Sequence, residues 1–373
     1  MMMMMMKYVD EYRDGRTCKR LLQEIRQTAT RCWTIMEVCG GQTHSLLRHG
    51  IEQELEGFVR LIHGPGCPVC VTPLESIDWS IELARRPQVI LASFGDMLRV
   101  PGSRESLLQV RARGGNVRLV YSPLDAVQLA RENPDQQVVF FAVGFETTTP
   151  ATALAAYQAR KLALENFSLL VAHVRVQPAM EMLVTSPDNC VQSFLAAGHV
   201  CSVAGYQSYV EFVERFQLPV IVTGFEPVDL LNGILEAVRQ LERGEASVCN
   251  QYPRSVAIEG NRRAMEIVED VYEPTDRPWR GIGIVPKGGL RLRQTWQQFD
   301  AAQRFEYSGL AVIEPVECRS GKVLIGKLTP TDCESFGTRC TPDSPLGAPM
   351  VSAEGACAAY FRYSDFNRSK DAL

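Results

Sequence analysis

Cysteine appears at three places in this chain where its chemistry is strongest: in Cys39-Gly40-Gly41, in Gly66-Cys67-Pro68-Val69-Cys70, and in a late group of Cys318, Cys333, Cys340 and Cys357. A Cys-x-x-Cys pair that opens a helix is special because the N-terminal amides stabilise thiolate, moving a free-thiol pKa of about 8.5 into a range of about 3.5 to 7.5. Gly64, Pro65 and Gly66 before the pair and Pro73 after it shape a loop suited to a redox dithiol. The bland alternative is half of a structural zinc site or two inert core cysteines. Cys39 alone would read as a core residue, but Gly40 and Gly41 let backbone approach a ligand and His44 follows a helical turn later. Thiolate and imidazole suit a soft or borderline transition metal such as iron.

Carboxylates end similar apolar runs. Glu146 in Gly144-Phe145-Glu146 and Asp96 in Phe94-Gly95-Asp96 are placed to act as bases, to face a metal, or simply to cap helices. His63 and His199 are equally well read as structural histidines. The late cysteines are separated by 14, 6 and 16 residues, without paired Cys-x-x-Cys knuckles and without histidine. Four thiolates from loops are what a cubane iron-sulfur cluster requires, although zinc is the competing metal. Gly321 to Lys327 imitates a phosphate-binding loop, but Leu328 replaces its Ser/Thr, so a β-turn segment is expected there.

The elements that position these residues read as βα units. Strands are expected over Thr34 to Val38, Val59 to Ile62, Val89 to Ser93, Val117 to Tyr121, Val138 to Val143, Phe167 to Ala172 and Val220 to Thr223, with helices from Thr43, over Leu74 to Ala84 and over Ala151 to Leu162. Continuous apolar strands imply a parallel sheet covered on both faces. In such a sheet all strand ends face one crevice, so thiols and carboxylates remote in sequence share a site. The phrase Gly-Phe-Glu recurs at Gly224-Phe225-Glu226, which suggests two similar halves. The expected fold is α/β, with two similar parallel-sheet domains around a cleft and a small Gly/Pro-rich iron-sulfur region at the C-terminus. Its divisions are a helical lead-in over 1–30, a first α/β domain over 31–122, a second over 123–250, and the cluster region over 251–373.

At 373 residues the chain is long enough for two to three domains at roughly 150 residues each. Hydrophobic residues make up 46%, charged residues 22%, and the net charge is −4 without a basic patch, which argues against nucleic acid as a partner. No apolar run approaches the ~18 residues of a membrane span, and no secretory pattern opens the chain, so a cytoplasmic location is expected. Twelve cysteines in a reducing compartment point to metal or redox use, not to a disulfide framework. The low-complexity run Met1 to Met6 carries no weight.

Together, Glu37-Val38-Cys39-Gly40-Gly41-Gln42-Thr43-His44, Gly64 to Pro73, Phe94 to Gly102, Gly144 to Thr148 and Glu354-Gly355-Ala356-Cys357 resemble the HypD family of NiFe-hydrogenase maturation factors, over about residues 7 to 363. The resemblance implies two α/β domains flanking a cleft, a third region with a 4Fe-4S cluster, and a scaffold, not a turnover enzyme, on which Fe(CN)2CO is assembled. By matching motif, Cys39 would bind the iron, Cys67 and Cys70 would be the redox pair beside it and near the metal, and His44 and Glu146 would line the cleft. Cys318, Cys333, Cys340 and Cys357 would hold the cluster. Implied partners are a HypC-like chaperone that donates a terminal cysteine, a HypE-like cyanide donor, and the wider hydrogenase maturation machinery. Ser320, Gln42 and Ala197 depart from the family pattern, leaving Cys318 as the local cluster ligand and His199 without an assigned role. The competing reading is a stand-alone thiol-disulfide oxidoreductase using Cys67 and Cys70; a zinc-stabilised binding module is a third.

Overall fold

In the computed structural model residues 6, 7, 9–309, 312 and 314–364 are described; Met1 to Met5, and the part of the expected cluster region after residue 364, lie outside the described residues. Eleven strands are present among them: β1 Trp33–Glu37, β2 Val59–His63, β3 Val89–Ser93, β4 Val117–Leu119, β5 Gln137–Gly144, β6 Phe167–His173, β7 Ser193–Ala197, β8 Val220–Thr223, β9 Val248–Asn250, β10 Tyr272–Trp279 and β11 Gly283–Leu292. The strands with continuous apolar runs are buried throughout, β3 at every residue and β5 at all but its first. This is what a parallel sheet sandwiched between helices demands.

Two all-parallel sheets result, ordered β2-β1-β7-β8-β9 and β4-β3-β5-β6. The fold class is therefore the expected α/β with two parallel sheets, but the sheets do not follow one another along the chain. Strand β2 is the sheet's outer strand and pairs with β1, whereas β1 pairs on its other side with the remote β7 (Ile35 opposite Ser193), and β3 to β6, which lie between them in the chain, form the second sheet. Strands expected to share a unit over 31–122 are divided between the sheets, and β8, expected in the second unit, belongs with β1. Sequence alone shows which runs are strands; which edges pair is decided by contacts between remote segments.

The helix Gly15–Thr28 realises the lead-in: Leu21 and Ile25 pack with Leu230 and Ile234 of the helix Pro227–Arg243. After residue 250, where only short Gly/Pro-rich segments were expected, the chain forms a helix Arg262–Val271 and a long antiparallel hairpin of β10 and β11. Strand β10 has a period-two pattern with buried ends and alternating partly exposed and exposed residues between them, so its interior is polar and its prolines mask the signal. Leu290 and Leu292 of β11 enter the same core as Phe140 and Phe167, which attaches the hairpin to the second sheet. The phosphate-loop imitation is a short helix, Ser320–Leu324, where a β-turn segment was expected; Gly321 lies against the backbone of Gly281. Among the described residues no helix is long and apolar enough to cross a membrane.

Candidate metal centre

Strand β1 ends at Glu37, and two residues later Cys39, in extended conformation, occupies the position before the helix Gly40–Arg48. Strand β2 pairs beside it in parallel, with Glu37 opposite His63, and runs through Gly64-Pro65-Gly66 to Cys67. Cys67 in turn precedes the helical turn Pro68–Val71, and its sulfur accepts the Cys70 N–H at 3.2 Å. The two loops meet backbone to backbone. Gly40 N–H donates to the Gly66 carbonyl at 2.9 Å, and a methyl group on Gly66 would overlap the backbone nitrogen and Cα of Cys39. Cys67 and Cys70 are joined as a disulfide, 2% and 1% exposed, beside the half-buried Cys39.

The topology explains the position. In the first sheet the chain leaves β1 toward β2 on one side and later builds β7, β8 and β9 on the other, so a crevice opens between the ends of β1 and β7. Cys39 follows β1 there and Gly198-His199 follows β7. Phe225, from the phrase after β8, packs its ring edge on the Cα of Gly41, and its carbonyl accepts the Ser45 hydroxyl at 2.5 Å. The second sheet switches direction between β3 and β5, whose ends carry Phe94-Gly95-Asp96 and Gly144-Phe145-Glu146. Phe145 shares a core with Met36 and Val38, against which Cys39 packs.

Glu37, a residue the sequence reading passed over, organises the electrostatics. It is fully buried and accepts from the Cys39 N–H at 2.8 Å, from the Thr43 hydroxyl, and shares a hydrogen bond with His63 Nδ1 at 2.9 Å. His63 Nε2 faces Glu52 at 3.6 Å, and Glu52 accepts the Tyr360 hydroxyl at 2.7 Å. Burial would lower the His63 pKa, but hydrogen bonds to Glu37 and Glu52 outweigh it and raise it to about 10, so the ring is an imidazolium. Its only sequence signal was a carboxylate at the last position of a buried strand, two before the cysteine. Burial of the Cys39 sulfur, then Glu37 and Glu354, pushes its thiol up to about 12. Such a thiol ionises readily only when a cation arrives to offset the two carboxylates.

Among the other expected residues, Glu146 accepts the Val176 N–H at 3.1 Å through Oε1, while its Oε2 is buried without a hydrogen-bond partner and burial raises its pKa. Buried Cys201 lies close enough to Glu146 and Cys39 for both to raise its pKa further after burial. His44 turns toward the C-terminal helix Ala356–Tyr363: its Nε2 shares a hydrogen bond with the Tyr363 hydroxyl at 3.0 Å. His199 stacks on Phe225 with ring centres 3.7 Å apart. Asp96 pairs with Arg99 at 2.9 Å.

The four late cysteines, Cys318, Cys333, Cys340 and Cys357, line one enclosure, together with Phe336 and Met350. Cys318, the local candidate left by Ser320's departure from the family pattern, is held there with Gly347 against its sulfur and Ser320 Oγ at 3.3 Å. Burial raises the Cys357 pKa, and the other three thiols raise it further, which fits four sulfurs facing a shared space. Among the described residues no three His, Cys, Asp or Glu side chains draw together tightly enough to hold a single ion. An all-thiol donor set around a cavity fits a polynuclear iron-sulfur group and a four-thiolate zinc ion alike. The enclosure also adjoins the Cys39 loop, because Glu354 lies so close to Gly40 that a methyl there would overlap it.

Comparison with known proteins finds relatives along nearly the whole chain. The family model HypD, described as "Hydrogenase formation hypA family", matches residues 16–364. The chain is 47% identical over 367 residues to the hydrogenase expression/formation protein HupD of Azotobacter chroococcum mcd 1, covering 96% of this chain and 97% of that protein. It is 47% identical over 367 residues to the hydrogenase maturation factor HypD of Azotobacter vinelandii, with coverage of 96% and 97%. Against the HypD of Escherichia coli strain K12 the identity is 44% over 366 residues, covering 96% and 98%.

Proposed function

The chain belongs to the HypD family of hydrogenase maturation factors, and from that premise we propose that it is the scaffold on which the Fe(CN)2CO unit of a NiFe hydrogenase is put together. The observation that carries this reading is the backbone contact between the Cys39 loop and the Cys67/Cys70 loop at the crevice of the first sheet. The iron is cargo, gripped by the Cys39 sulfur. Its positive charge offsets the burial and the neighbouring Glu37 and Glu354 that otherwise keep that sulfur protonated. Glu37 fixes the backbone of Cys39 and is itself fixed by the His63 imidazolium, so the ligand is held in place before the metal comes.

Cys318, Cys333, Cys340 and Cys357 would hold a resident 4Fe-4S cluster, which supplies single electrons at low potential when bound. Cys67 and Cys70 store an electron pair beside the cargo as dithiol or disulfide. Glu146, which follows β5 of the other sheet, would line the cleft with its buried carboxyl group. A HypC-like chaperone would supply a further thiolate to the iron and a HypE-like protein the cyanide, both in the cytoplasm. A stand-alone oxidoreductase acting on other proteins suits the site less well, since both sulfurs of the pair are almost wholly covered.

Infrared spectra of anaerobically purified protein, alone and with its chaperone, test the proposal. Bands of iron-bound CN and CO are expected, and Cys39→Ala should abolish them while leaving the absorbance of the cysteine enclosure intact. Persistence of the bands in that variant would remove Cys39 from the site. Full function of Cys39→Ala combined with loss in Cys67→Ser would favour the oxidoreductase instead.

A further inference from the structure

The contacts that fix Glu37 continue past it to the C-terminal helix Ala356–Tyr363. Glu37 Oε2 accepts the Cys39 N–H at 2.8 Å, and its Oε1 meets His63 Nδ1 at 2.9 Å. The other ring nitrogen, Nε2, is buried without a hydrogen-bond partner among the described residues and lies 3.6 Å from Glu52 Oε1, on the short helix Ile51–Glu54. That same carboxylate oxygen accepts the Tyr360 hydroxyl at 2.7 Å. The Tyr360 ring also stands edge-on to the imidazole, with centres 5.4 Å apart. Glu37, His63 and Tyr360 are all buried, whereas the Glu52 side chain is 25% exposed. A carboxylate so placed turns to water unless a donor such as Tyr360 keeps it facing the ring.

From this line of contacts we infer that Glu52 and Tyr360 are positioning residues for the iron ligand: they hold His63 from behind, His63 holds Glu37, and Glu37 holds the backbone of Cys39. The inference rests on the reading above that Cys39 grips the iron cargo. Neither residue touches that cargo. Groups that orient a metal ligand from behind commonly carry about 10- to 100-fold in metal affinity. Glu52 and Tyr360 stand further back, behind Glu37 and His63, so a several-fold share is expected of them. A ligand already held in its bound geometry also gives up less freedom when the metal arrives.

Two measurements on the full-length protein, purified without oxygen, test the role. Before ferrous ion is added, hydrogen exchange at the Cys39 amide should be faster in Tyr360→Phe, which keeps the ring contact and loses the hydroxyl, and in Glu52→Gln. Ferrous affinity, read by competition with a coloured chelator and with Cys39→Ala subtracting iron bound elsewhere, should be several-fold weaker in both variants. In a Glu37→Gln background Tyr360→Phe should bring no further loss, because the line is already cut. If Glu37→Gln binds no iron, His63→Gln supplies the cut. An equal loss in both backgrounds overturns the inference and leaves Tyr360 as a prop of its own helix. Wild-type exchange at Cys39 in both single variants overturns it too. Wild type that holds no more ferrous ion than Cys39→Ala, with exchange altered as expected, overturns the reading of Cys39 as the ligand, and the positioning role falls with it.

Discussion

Glu37 has no exposed surface, yet the Cys39 amide, the Thr43 hydroxyl and the His63 ring all converge on it. A buried carboxylate survives folding only if charge and hydrogen bonds meet it, and His63 supplies the charge. This gives stability a pH dependence whose sign is fixed. The His63 pKa is raised from 6.5 in the unfolded chain to about 10, so its contribution is complete below 6.5 and is lost as the pH climbs through about 10. Denaturant unfolding of wild type should therefore weaken across that window, while His63→Gln, less stable at pH 6 for want of a cation beside Glu37, should show a flatter profile. Parallel curves for the two proteins would show that His63 does not carry the charge. The contrast with Cys39 explains what was legible here. Cysteines between glycines and in a Cys-x-x-Cys spacing announce themselves by type, whereas a single acid at a strand end reads as a helix cap until its partner, 26 positions later, is seen opposite it in the neighbouring strand.

The loops after β1 and β2 act as one unit because both are built on glycine where they touch. Gly66 leaves no room for a side chain beside Cys39, and Gly40 leaves none beside Glu354. Gly66→Ala should push the Cys67 loop away from Cys39 and cost about 1 to 3 kcal/mol, the usual range for overfilling a packed contact. Infrared bands of the cargo should disappear with it, although the four-cysteine enclosure keeps its absorbance; a variant with normal bands would show that the apposition of the loops is incidental. Sequence located several elements well: β3 and β8, which open on β-branched residues, and the helix Leu74–Ala84 fall where the pattern put them. It missed β7, whose Ser-Phe-Leu-Ala-Ala run has no β-branched residue, and β9, three residues long and only partly buried. It missed the β10–β11 hairpin because prolines and glycines, ordinarily marks of loops, sit here in a two-stranded antiparallel ribbon.

Across the whole molecule, the segment bearing the last four cysteines acts as a cover for the Cys39 helix. Glu354 rests on Gly40, Tyr363 bonds His44, and Tyr360 reaches Glu52 behind His63. The cover has little core of its own: its apolar cluster is small, Phe336, Met350, Ala359 and Tyr360 with Leu47 from the helix beneath, and the cysteines supply much of the remainder. With the proposed cluster in the enclosure, such a segment would depend on its metal, because binding energy that is realised only in the folded state becomes folding energy. Removing iron with a chelator should therefore raise amide hydrogen exchange in Ala356–Tyr363 and, through the contacts just named, in Gly40–Arg48, while β5 and β6 of the other sheet keep their protection. The order of these effects separates two accounts of why the cluster region and the cargo site share one chain. If the Cys39 helix loosens with the cover, loading of the enclosure is a precondition for a rigid iron site, and cargo binding is coupled to the redox state of the protein by structure as well as by electrons. If the helix keeps its protection, the two sites are mechanically independent.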